Sequence, residues 1–146
     1  MDADTLFQIA STTVLGGWAS LLASPWIPKV SDSVAALGVP ALLSVAYLGL
    51  VMAFWSGAQG GFDSLASVAL LFETREILLA GWIHYLAFDL FVGAWIARSA
   101  RIADVPFWMV LPCLALTFLF GLAGFLLFLA IRAVRARAFS TATATA

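Results

Sequence analysis

Three long stretches of this chain contain no charged side chain, and that spacing constrains the fold more than any other feature. No residue between Asp4 and Lys29 is charged, none between Asp32 and Asp63, and none between Asp104 and Arg132. Each gap exceeds the roughly 20 apolar residues that cross a bilayer core as a helix. A fourth run, 77–97, has similar length but carries His84 and Asp89. Composition agrees with a lipid solvent. Hydrophobic residues make up 64% and charged residues 10% of the chain, against roughly 45–50% and 25% in soluble domains. A chain of 146 residues has too little interior to hide that much apolar surface from water. The expected fold is all-α: a polytopic membrane protein with about four transmembrane helices in a compact bundle.

Local signals place the boundaries. Helix one is expected over 6–23, ended by Pro25 and Pro28, with Trp26 suited to the headgroup region. Helix two is expected over 34–55, with Ser33 as its N-cap and Gly57, Gly60 and Gly61 at its exit. Helix three covers 77–97. Helix four covers 106–131, with Trp108 near one interface and Arg132, Arg135 and Arg137 stopping it. Asp63 is the expected cap of a short interfacial or re-entrant helix over 63–75. The Thr/Ala-rich tail, 140–146, is expected to be disordered, which leaves 1–139 as one domain.

The start of the chain is acidic and lacks the positive n-region of a cleavable signal, so the first apolar run is read as a retained helix. Four spans put both termini on one side. Arg75, Arg132, Arg135 and Arg137 on that side outnumber Lys29, Arg98 and Arg101 on the other, which points to cytoplasmic termini. Gly16-Gly17 and Gly121-Leu122-Ala123-Gly124 allow close helix approach. Pro112-Cys113 is a candidate kink, with Thr117 placed to satisfy freed backbone groups.

Several function classes are excluded. A net charge of −1 gives no bulk attraction to nucleic acid. The lone Cys113 rules out an intrachain disulfide or a CxxC pair, and its apolar surroundings read as those of a buried, inert thiol. One histidine cannot supply a multi-histidine metal site or a bis-histidine haem within one chain. No phosphate loop, nucleophile elbow or HExxH is present. No cofactor and no metal are expected; the partner the sequence requires is the lipid bilayer.

Helix three is where chemistry is concentrated. An Asp at a helix centre costs about 3 kcal/mol on insertion scales, and eight or so strongly apolar neighbours return a similar sum. An ionisable group kept at that cost is a functional candidate. At 3.6 residues per turn, Leu78, Trp82, Tyr85 and Asp89 share one face, and His84, Phe88, Phe91 and Trp95 share another. The His84 and Asp89 directions differ by about 140°, so each needs its own partner or cavity. The bland alternatives are concrete. His84 is equally readable as a neutral interhelical hydrogen-bonder. Asp89 is readable as a structural group bonded to backbone or to Tyr85. Glu76 is readable as a solvated charge near an interface, and the aromatic stripe as packing.

The run Glu76-Ile77-Leu78-Leu79-Ala80-Gly81-Trp82-Ile83-His84-Tyr85-Leu86-Ala87-Phe88-Asp89-Leu90-Phe91 resembles the signature of the abscisic-acid-deficient-four-like family. That family includes the plant protein required for neoxanthin synthesis and many bacterial members. Pro112 to Gly121 resembles its last-helix motif, and Leu6-Phe7, Trp18 and Pro25 also fit. One departure stands at Leu122, where the motif has a proline after the glycine. It bears on a helix break and leaves helix three untouched.

The resemblance implies a carotenoid or xanthophyll as ligand or substrate. In the plant member the implied conversion is violaxanthin to neoxanthin, an epoxide opened to an allene. Such an isomerisation delivers a proton to the epoxide oxygen and removes one from carbon. Matching the motif implies Glu76, His84 and Asp89 as catalytic residues, with Asp89 or Glu76 as acid and His84 as base. Trp82, Tyr85, Phe88 and Phe91 are then the substrate-binding residues. The absence of a Ser/Arg-rich transit peptide points to a bacterial inner (cytoplasmic) membrane. Two other readings stay open: a non-enzymatic carotenoid-binding or accessory subunit of a larger membrane complex, and a small transporter that works as a homo-oligomer.

Overall fold

The computed structural model describes residues 2–144, with side chains described to residue 137. Among the described residues every regular element is helical. Helix α1 (Ala3–Leu22) opens on Asp2, whose carboxylate accepts from the Thr5 N–H at 2.9 Å. That bond satisfies one of the donors a helix start leaves open. Helix α2 is the 30-residue run Pro28–Gly57, and it begins six residues earlier than its sequence suggests. Pro28 starts this helix: at the first helical position its missing N–H costs nothing. Ser33 is therefore not a cap. Its backbone is helical (φ −69°, ψ −41°), and its hydroxyl donates back to the Lys29 carbonyl at 3.0 Å.

Within α2 the turn Val34–Gly38 is a π-turn, with the Val39 N–H reaching the Val34 carbonyl. The cause lies one residue on. Pro40 has no N–H to give Ala36, and its ring crowds that carbonyl. The widened turn absorbs the misfit without breaking the helix. A short helix α3 (Leu65–Leu71) follows, capped by Ser64, which accepts from the Ser67 N–H at 3.1 Å; Asp63 is not the cap.

Helix α4 (Arg75–Ile102) has 28 residues, about 42 Å at 1.5 Å per residue. It is the centre of the fold, and Ile83, Leu90, Ala94 and Ile96 on it are almost fully buried. Helix α1 lies along one side in the same direction. Its Asp4 pairs with Arg75, Gly17 lets Leu90 against the backbone, and Trp18 fills the space over Gly93. Helix α2 returns along another side, from the Asp32–Arg101 ion pair (2.6 Å) to Tyr47 beside His84. The outer face of α2 stays bare and apolar, with Val45 71% and Met52 76% exposed. That is what a lipid-facing surface requires. Among the described residues, α2 and α4 are the two helices long and apolar enough to cross a membrane.

The expected fourth span, 106–131, is not one helix. It is α5 (Phe107–Phe120) and α6 (Leu122–Ala144), divided at Gly121. Gly121 has φ +52° and ψ −101°, a conformation that residues with a Cβ rarely adopt. The chain reverses there, and α6 folds back along α5. Gly124 then sits so close to the Cys113 carbonyl and Thr117 that a Cβ would collide with both. Farther along, Arg135 donates to the Asp104 carbonyl at 3.1 Å. Residues 31 apart in one continuous helix would be separated by about 46 Å.

Thr117 does not serve the carbonyl that Pro112 leaves free. Its hydroxyl bonds to the Cys113 carbonyl at 2.8 Å. Cys113 itself is fully buried, as expected. A helix of 14 residues is about 21 Å long, too short for a hydrocarbon core of about 30 Å.

The fold-back also corrects the placement of the termini. Asp4 sits at the Arg75 end of α4, and Arg135 sits at the Asp104 end. The two ends of the chain therefore lie at opposite ends of the bundle. The tail expected over 140–146 falls beyond the described side chains, and residues 145 and 146 lie outside the described residues.

Candidate functional site

The turn at Gly121 creates a polar problem in the middle of an apolar bundle. The last carbonyls of α5 and the first N–H groups of α6 have no partner within their own helices. In lipid each such group costs several kcal/mol if left bare. Helix α4 presents two side chains to this turn, one helical turn apart. The Tyr85 hydroxyl donates to the Leu119 carbonyl at 3.4 Å. The Asp89 carboxylate faces Gly121, and a Cβ at that glycine would lie 2.7 Å from Oδ1.

The helix entrance of α6 carries partial positive charge, which suits a carboxylate placed against it. Asp89 Oδ2 is itself buried and has no hydrogen-bond partner among the described residues. The phenol thus satisfies one carbonyl at the break, and the carboxyl lies against the same turn. Asp89 lies 13 residues before Ile102, about 20 Å from that end of α4, so the pair sits at mid-depth.

An apolar groove of about 490 Å³ lies between α1 and α5, with Leu15, Trp18, Leu22, Leu111, Leu114 and Phe118 among its walls. Trp18 and Phe118 meet edge to face at 5.4 Å at its inner end. Trp18 also covers Gly93, one turn beyond Asp89, and Phe118 precedes the Leu119 carbonyl that holds Tyr85.

The other candidates are elsewhere. His84 is exposed on the α2 side of α4. It stacks on Phe88 at 4.5 Å and lies 5.5 Å from the Tyr47 ring. A small crevice there is lined by Leu43, Ser44, Tyr47, His84 and Phe88. Phe88 and Phe91, 57% and 50% exposed, line a neighbouring shallow cavity with Pro40 and Ser44. Trp82 is on the α1 side. Its indole N–H donates to the Ser11 hydroxyl at 3.4 Å, and its ring lies between Phe7 and Tyr85. Glu76 is half-buried in the first turn of α4, 13 residues and about 20 Å from Asp89.

The structure therefore brings together Trp82, Tyr85 and Asp89, and does not join them with His84 or Glu76. Trp95 belongs to packing, against Phe125 and Phe128 of α6. Among the described residues no group of three or more His, Cys, Asp or Glu side chains is placed to hold a metal ion.

Sequence reasoning missed Gly121 and the Leu119 carbonyl as members of the site. One signal was available. An intramembrane carboxylate with no basic residue at its depth needs backbone donors, and backbone donors at mid-membrane require a broken helix. A family model described as ABA DEFICIENT 4-like matches residues 5–128, a range that includes most of α1, all of α2 to α5 and the turn. No curated protein and no solved structure matches the chain.

Proposed function

The chain belongs to the ABA DEFICIENT 4-like family, and on that premise we propose that it takes up a carotenoid, xanthophyll or related isoprenoid from the bilayer and isomerises it by proton transfer at Asp89 and Tyr85. One observation carries the reading: a phenol and a carboxyl meet a broken helix at mid-depth, and an apolar groove lies beside α5, with Phe118 in its wall, one residue before the Leu119 carbonyl that holds the phenol. An isoprenoid chain fits such a groove, and its oxygenated ring then meets the pair. Opening an epoxide to an unsaturated alcohol breaks one C–O and one C–H bond and forms one O–H bond and one C=C π bond, with no net oxidation. Tyr85 delivers the proton to oxygen and Asp89 takes the proton from carbon. Proton return from the carboxyl to the phenol, one helical turn apart on α4, restores the starting state. His84 and Glu76 are too far around or along α4 to share this step.

The test is a pigment profile. In cells that make xanthophyll epoxides, the wild-type chain shifts the profile. Asp89→Asn keeps the protein in the membrane and lowers conversion about 10²–10⁴-fold. An unchanged profile with the wild-type chain contradicts the reading. A second reading rests on the exposed Phe88 and Phe91 beside His84. That face suits a partner helix, from a second copy or from a membrane complex, and copurifying chains in stoichiometric amounts favour it.

The charge distribution supports a sidedness in an inner (cytoplasmic) membrane. Six of the seven basic residues, Lys29, Arg98, Arg101, Arg132, Arg135 and Arg137, belong to the Asp104 end of the bundle, and Arg75 to the other. The basic end faces the cytoplasm by the positive-inside rule, which puts the N-terminus on the opposite side.

A further inference from the structure

At the basic end, the turn between α4 and α5 and the last described turns of α6 enclose a cleft of about 460 Å³. We propose that this cleft is a binding site for the phosphate headgroup of an anionic phospholipid from the surrounding leaflet. Two guanidinium groups, of Arg132 and Arg135, stand at it, while Ala103, Val105, Leu129 and Ala133 form its walls.

The arginines are positioned. Arg135 donates to the Asp104 carbonyl at 3.1 Å, and the Arg132 guanidinium lies 5.9 Å from the Phe128 ring centre, over a fully buried side chain. Arginine presents a planar fork of donors that matches two phosphate oxygens, which lysine does not. Asp32 is paired with Arg101 at 2.6 Å and Arg98 at 3.9 Å.

The apolar walls decide the source of the phosphate. Leu129 belongs to the charge-free run that ends at Arg132, and Ile102 and Trp108, 80% and 70% exposed, flank the same level. A headgroup at the arginines therefore continues into acyl chains along an apolar surface. A soluble phosphate would leave that surface bare. A basic pocket between helices at the cytoplasmic leaflet is also where anionic lipid is concentrated. This inference needs the membrane placement of the chain and does not need the isoprenoid reading.

The experiment uses the full chain in neutral detergent. Phosphatidylglycerol, phosphatidylcholine and inorganic phosphate are titrated separately, and bound lipid and unfolding temperature are read by native mass spectrometry and thermal shift. Phosphatidylglycerol is expected to bind and raise the unfolding temperature, and the other two are not. Arg132→Gln, an exposed position, weakens phosphatidylglycerol binding about fivefold, the effect of one interfacial charge. Lys29→Gln removes a charge from the same end outside the cleft and leaves binding within about twofold. The proposal is overturned by equal binding of phosphatidylcholine, by an equal effect of inorganic phosphate, or by equal losses in Arg132→Gln and Lys29→Gln.

Discussion

The charge-free runs 34–55 and 106–131 look alike in sequence and fold in opposite ways. Each is apolar and long enough to span, and each has a proline in its interior, Pro40 or Pro112. The first belongs to one 30-residue helix, because a π-turn absorbs Pro40. The second passes Pro112 inside a helix and then reverses at a glycine. Apolar length therefore permits a crossing and does not cause one. What decides is whether a residue can adopt the reversing conformation, and whether side chains elsewhere accept the backbone groups the break exposes. Gly121 meets the first condition; Tyr85 meets the second by donating to the Leu119 carbonyl, with Asp89 facing the same turn.

The largest expected effect comes from making the hairpin impossible to close. Gly124→Leu drives a side chain into the Cys113 carbonyl and Thr117, at a cost of about 3 kcal/mol or more. The protein should lose most of its folded fraction in a detergent unfolding assay, and native-like stability would break the comparison. Gly121→Ala follows. It places a Cβ against the Asp89 carboxylate in a backbone conformation suited to glycine, and about 1–3 kcal/mol of stability is expected to be lost.

Pro40→Ala sharpens the contrast from the other side. It restores an N–H to a helix that already runs through, so stability should be unchanged or raised by less than about 1 kcal/mol. A loss comparable to Gly121→Ala would show that the π-turn is as exacting as the reversal. The smallest effect is at the entrance of α1. The Asp2 carboxyl is held below its ordinary value of 3.8, chiefly by its hydrogen bond to Thr5. A group lowered in the folded state stabilises above its unfolded value, and that contribution fades as pH falls through the lowered one. Hydrogen exchange at the Thr5 amide should accelerate, relative to neighbouring α1 amides, as pH falls below 3.8; a flat ratio would remove the cap from the account.

The all-helical class and the central helix were legible because charge and hydropathy are set by single residues that can be counted. The expected 77–97 lies wholly within Arg75–Ile102, and His84 and Asp89 were rightly separated by helical geometry alone. Pro28 was misread because one proline both ends a preceding helix and starts the next. The break at Gly121 was not legible from local pattern. A glycine in an apolar run is also the mark of close helix packing, and Gly17 uses its missing side chain in that way, against Leu90. The difference lies in contacts between residues far apart in sequence, such as Asp104 with Arg135. The resemblance of the last-helix motif included a glycine at this place, but its significance depends on the direction the chain takes afterwards.

The most direct test of the account is the sidedness of the two termini, read with a reporter at each end of the full chain and scored on both sides of the membrane. Helices α2 and α4 are long and apolar enough to cross; the proposed placement adds α1, which runs beside α4 in the same direction, and has α6 return along α5. The account therefore predicts the C-terminus in the cytoplasm with the basic end and the N-terminus on the opposite side. Both termini on the same side would mean that 106–131 crosses as one helix, and would contradict it.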